Sequence, residues 1–206
     1  MAQFRPVRHP DLFDSVTHLT GRPGAHFSES ELDPRGRLAS ILEARTIVGS
    51  RPYGAPTPVV CFTESTPQGL EFLVGELGYE PWGIMFKKDF VWAKGAAPAL
   101  YVRSDEYELL SSMPRTFRSR AVRLEPGQSE WLHEREWRCP CEHFTFVPDD
   151  VVALLVGTYC WEPPVPETRF NYQDFDWEVE AVPAPWATGF PLWVWNEIEQ
   201  CFYQHD

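Results

Sequence analysis

Glu134-Arg135-Glu136-Trp137-Arg138 places two carboxylates two residues apart, and His18-Leu19-Thr20 places an imidazole and a hydroxyl at the same spacing near the start. In a strand, side chains two apart point the same way. A close carboxylate pair perturbs its own ionisation and makes Glu134 and Glu136 candidates for an acid, a base or a stabiliser of a cation. His18 and Thr20 offer groups that grip a ribose or a carboxamide. The chemistry this suggests is a glutamate that hydrogen-bonds a ribose hydroxyl and steadies an oxocarbenium-like transition state. Each signal has a plainer reading. Glu-Arg-Glu also suits a surface strand pairing with its neighbours, and a lone histidine suits a core position satisfied by backbone.

Other chemistry-bearing residues are fewer. The apolar run at 59–63 leads into Thr63-Glu64-Ser65-Thr66, whose hydroxyls fit a pocket floor or a helix cap equally well. Cys139-Pro140-Cys141-Glu142-His143 brings thiols and an imidazole together, but a structural zinc site needs a fourth ligand from afar, such as Cys160 or His133. Motifs for a P-loop, a dinucleotide fold, a nucleophile elbow or a zinc protease are missing from the chain.

The elements that must hold these residues follow from pattern. Residues 12–20 predict a strand ending in His-x-Thr. A polar loop at 21–37 precedes a helix over 38–44, and a buried strand spans 59–63. Leu70, Leu73, Val74 and Leu77 share one face of a helix over 67–77. Strands are expected at 82–86, 99–102 and 131–139, with another from 151 to 159. Short helices are expected at 88–93 and 104–113. Residues 162–187 read as an irregular surface excursion, and 191–203 as a C-terminal helix with an aromatic stripe. Together these predict one α+β domain over residues 1–206.

Composition sets the bounds. The chain has 206 residues, of which 43% are hydrophobic and 15% aromatic, enough for a folded core. A formal charge of −12 disfavours broad nucleic-acid binding, although Arg115, Arg118, Arg120 and Arg123 form a local basic cluster. Five cysteines, an odd number, favour a reducing cytoplasmic setting, and no apolar run reaches the roughly 18 residues of a membrane span.

In order, His18-Leu19-Thr20, the helix at 38–42, Val59 to Glu64, Trp82-Gly83-Ile84, Ala99-Leu100-Tyr101 and Glu134 to Arg138 resemble the AbiGi-type abortive-infection proteins of bacteria. More distantly they are similar to DarT-like ADP-ribosyltransferases. The resemblance covers about residues 12–160 and is carried by element order more than by any one motif. It implies a split ADP-ribosyltransferase-like β-core with short flanking helices and NAD, as substrate, between two small sheets. Glu136 would then be the catalytic glutamate, with Glu134 upstream of it. His18 and Thr20 would contact the nicotinamide side, and Tyr53 and Phe62 would wall it. Arg51 would meet the phosphates, with Arg45 as runner-up. The implied activity is ADP-ribosyl transfer or NAD hydrolysis in phage defence or a toxin–antitoxin system, with a protein or nucleic-acid acceptor and a cognate toxin or antitoxin as candidate partners. The alternative is a non-catalytic antitoxin or immunity protein that binds a partner of the same fold.

Overall fold

The computed structural model describes residues 13–23, 32–52, 55–127, 131–158 and 190–205, and the backbone of 164–171 and 176–183. The chain runs β1 Ser15–Leu19, α1 Pro34–Ala44, β2 Thr46–Val48, β3 Val60–Thr63, α2 Pro67–Gly75, β4 Gly83–Lys87 and α3 Lys88–Ala93. It continues with β5 Ala97–Pro98, β6 Leu100–Arg103, α4 Ser104–Leu109, α5 Arg115–Arg118, β7 Ala121–Leu124, a 3-10 turn Trp131–Glu134 and β8 Glu136–Cys139. Then come β9 His143–Thr145, β10 Val151–Val156, β11 Pro164–Asn171, β12 Asp176–Pro183, β13 Leu192–Asn196 and β14 Cys201–His205.

Eight of these strands form one mixed sheet in the order β14-β13-β10-β4-β1-β3-β8-β5. Only β10 and β13 pair in parallel; the other neighbours are antiparallel. Two-stranded ladders join β2 with β9, β6 with β7 and β11 with β12. The chain is thus an α+β protein built on a single large sheet, where the resemblance implied two small ones.

Alternation along the strands splits the apolar side chains between two faces. Val16, Phe62, Ile84, Phe86, Trp137 and Leu154 pack with Leu38 and Leu42 of α1 on one face. Met85, Ala153 and Leu155 pack with Leu70 and Leu73 of α2 on the other. Phe86, fully buried, meets Phe62, Phe144 and Phe146 edge-on at centroid distances of 6.0, 5.7 and 5.1 Å. Both readings of Thr63–Thr66 apply: Thr66 caps α2 through the Gly69 N–H, with Pro67 in the first turn, while Thr63 lines a cavity.

One local feature shapes everything downstream. β1 pairs with β4 along its whole length, and Gly83 sits so close that a Cβ there would lie 2.6 Å from the His18 carbonyl. With β3, however, β1 shares the single register pair Thr17↔Thr63. Past that pair the two strands part, opening the sheet beside His18.

Two sequence expectations fail. The stretch 191–203 is not a helix but the hairpin β13–β14, because Leu192-Trp193-Val194-Trp195 also alternates with a period of two. Trp193 then packs with Phe13 and Phe202, and Val194 with the α1 core. Within the span 162–187, expected to be irregular, the described residues form a ladder: β11 and β12 pair from Pro164↔Pro183 to Asn171↔Asp176. Pro164, Pro166 and Pro183, gathered at one end of the ladder, hid that pairing. Among the described residues no helix is long and apolar enough to cross a membrane.

Phe86→Ala removes the ring on which Phe62, Phe90, Phe144 and Phe146 pack, and it should cost about 3–5 kcal/mol. Urea unfolding is expected to show a lower midpoint with an unchanged slope.

Candidate functional site

The opening between β1 and β3 is the mouth of a cavity of about 680 Å3, within the roughly 300–1,000 Å3 of small-molecule sites. His18 lines it. Its Nδ1–H donates across the gap to the Cys61 carbonyl at 2.9 Å, which leaves Nε2 as the acceptor in the neutral ring. Burial lowers the pKa of His18, and Arg22 lowers it further against the pull of that carbonyl, so the ring is neutral at neutral pH.

Glu136 and Glu134 line it too, but not as neighbours on one straight strand. Glu134 ends the 3-10 turn, Arg135 adopts a left-handed backbone at φ 46°, and β8 starts at Glu136. The kink is held by backbone. Thr63 Oγ1 donates to the Glu134 carbonyl at 2.5 Å, and Glu64 N–H donates to the Arg135 carbonyl at 3.2 Å. Glu134 accepts a hydrogen bond from the Tyr79 phenol. Burial and this carboxylate push the phenol's pKa up, so Tyr79 stays a donor.

The Glu136 carboxylate is only 4% exposed. Arg138 Nε lies 3.0 Å from Oε1 and Arg22 Nη2 lies 3.9 Å away. The Arg138 N–H does not point at the oxygen, so the contact is an ion pair without a hydrogen bond, and Oε1 has no donor among the described residues. Arg138 Nη1 is turned instead to the carbonyls of Ser119 and Ala121, at 3.3 and 3.4 Å. Cys61 adjoins Glu136, and burial followed by that negative charge raises its pKa strongly, which keeps it a thiol. Burial opposes the charge of Arg22, which the carboxylates of Glu134 and Glu136 favour.

The remaining expected residues divide. Phe62 reaches the cavity but is 3% exposed and wedged between Phe144 and Phe86, a core ring with one edge on the floor. Thr20 lines the cavity, but its hydroxyl lies 2.7 Å from the Pro34 carbonyl and 3.1 Å from that of Trp82. It ties the start of α1 to the sheet, so the role of ligand contact is corrected to one of position. Arg51 is exposed and not among the cavity-lining residues, and the same holds for the runner-up Arg45. Tyr53 lies outside the described residues. The cavity's cations are Arg22 and Arg37, which pattern reasoning missed. Arg22 continues the alternation His18-Thr20-Arg22, a signal that Gly21 and Pro23 concealed. Tyr79, four residues beyond the end of α2, carried no signal.

No group of three or more His, Cys, Asp or Glu able to hold a metal occurs among the described residues. Comparison of the chain with protein-family models, curated proteins and solved structures gives no match in any of the three.

The cavity therefore offers a ligand a neutral imidazole, a buried carboxylate and two guanidinium groups. Arg138→Met strands the Glu136 charge and should destabilise the protein by about 3–5 kcal/mol, much of it recovered when Glu136→Gln is added; denaturant midpoints of the three variants check this. Stability should also fall as pH drops below 6.5, because the unfolded chain takes up a proton that folded His18 resists; above that pH the contribution is fully present. His18→Gln, which keeps a donor for Cys61, should flatten the acid limb of melting temperature against pH.

Proposed function

We propose that this cavity binds NAD and that the protein cleaves its nicotinamide–ribose bond, as an ADP-ribosyltransferase or NAD glycohydrolase. The observation that carries the reading is the buried Glu136 carboxylate, with one oxygen lacking a donor, lining the same cavity as His18. When the glycosidic bond breaks, its electron pair leaves with the pyridine nitrogen and the ribose C1′ becomes cationic. A fixed negative charge in a site shielded from water stabilises that cation more than it does the neutral sugar, which is the condition for catalysis. An oxygen or nitrogen nucleophile of a protein, a nucleic acid or water then bonds to C1′ and gives up its proton.

In this reading His18 Nε2 accepts a hydrogen bond from a ribose hydroxyl. Arg22 and Arg37 take the phosphate-binding place first assigned to Arg51. Glu134, which accepts from Tyr79, serves in this reading as the base for an incoming nucleophile. The setting in phage defence or a toxin–antitoxin pair rests on the resemblance alone.

One observation favours a second reading, a non-catalytic antitoxin or immunity component. Arg138 lies 3.0 Å from Glu136 and compensates its charge, as in a purely structural pair. Nicotinamide release separates the two. Wild-type protein incubated with NAD should liberate nicotinamide, and Glu136→Gln should lower the rate by about 10²-fold or more, the scale of losing one charge-stabilising group. A melting temperature recorded on the same variant shows that it is folded. No release by the wild type, or equal rates in a folded Glu136→Gln, would refute the enzyme.

A further inference from the structure

Next to Glu136 on β8, Trp137 turns to the opposite face and into the phenylalanine core. Its indole leads to a buried ion pair that the proposed NAD chemistry does not use. The Trp137 Nε1–H donates to Glu64 Oε2 at 2.8 Å. The other oxygen, Oε1, meets the ammonium of Lys88. That ammonium also donates to the Phe13 carbonyl at 3.1 Å and lies 5.6 Å from the centre of a Trp137 ring. The side chains of Lys88 and Glu64 are 13 and 10% exposed.

Stability alone does not explain this pair. Two charges withdrawn so far from water gain little over apolar side chains of the same size. Lys88 also stands at the first residue of α3, where the helix dipole disfavours a cation, and Lys87 before it makes no capping hydrogen bond.

What the pair holds is the start of β8. Glu64 grips the residues on both sides of Glu136: its N–H donates to the Arg135 carbonyl at 3.2 Å, and its carboxylate accepts from Trp137. Thr63 lies directly across from Glu136 and donates to the Glu134 carbonyl. Arg135 needs such support, since a left-handed backbone costs energy in a residue with a side chain.

We propose that Glu64 is a positioning residue for Glu136. Its carboxylate, oriented by Lys88, fixes Trp137 and thereby sets how far the Glu136 carboxylate reaches into the cavity. The catalytic meaning of this role rests on the NAD reading, in which a charge acts on a forming cation only if it is held in place beforehand. The requirement at position 64 is an acceptor for the indole; the charge is neutralised by Lys88.

Two double variants of the full chain carry the test, Glu64→Gln/Lys88→Met and Glu64→Leu/Lys88→Met. Both remove the buried charges, and only the first keeps an oxygen for Trp137. Cys61 reports on Glu136 without any NAD, because the adjacent carboxylate adds to burial in holding the thiol protonated. Iodoacetamide should label Cys61 severalfold faster in the leucine double than in the glutamine double, with Cys139, 1% exposed, equally protected in both. With NAD, the leucine double should show kcat about tenfold or more lower at unchanged KM, as a displacement of about 1 Å can cost 10²-fold, and the glutamine double should restore it. If the leucine double does not fold, Trp137→Phe removes the donor instead of the acceptor and replaces it in both assays. Equal Cys61 labelling in the two doubles, or equal kcat, would overturn the positioning role. A wild type that releases no nicotinamide ends the NAD reading alone, and the Cys61 comparison still decides the role of Glu64.

Discussion

The Glu136 carboxylate is held out of water on the first residue of β8, beside the guanidinium of Arg138 two residues on. Separately, either charge would be too costly at 3 or 4% exposure. Together they hold a polar strip on the face of β8 opposite Trp137 and Cys139, which belong to the phenylalanine-rich core. That strip lets a cavity exist beside β3 without collapsing into hydrophobic packing. Because Arg138 is also turned to the carbonyls of Ser119 and Ala121, the β6–β7 ladder is tied to the same pair.

The parting of β1 from β3 is the geometric counterpart of that pair. A sheet satisfies its backbone groups by pairing, so a gap in it needs substitutes. His18 supplies one by donating to the Cys61 carbonyl, and Thr20 fastens the exit of β1 to the start of α1. The residues that stop the gap from closing are thus the ones a ligand would meet first. Structure and candidate chemistry draw on the same side chains here.

Much of this was legible before the structure was known. The strands at 59–63 and 82–86 and the helices around Leu38–Leu42 and Leu70–Val74 are strong because local pattern and burial agree. The chain end was misread because its aromatic residues fit either period, and sheet pairing with β10 decided between them. Glu134 and Glu136 were rightly brought to one place by a wrong route, since alternation assumes an extended Arg135 and the backbone there is left-handed. Arg22 and Tyr79 enter the site from segments whose local sequence predicts only loop. Tertiary placement, not spacing, makes them part of it.

That left-handed residue also limits how this region can vary. A strand's two faces exchange when it slips by one position. One residue added or lost between the 3-10 turn and β8 would carry Glu136 onto the side of Phe62 and Phe86, and Trp137 into the polar strip. The length of this junction is thereby frozen, while the side chains of the turn ahead of Glu134 remain open to drift.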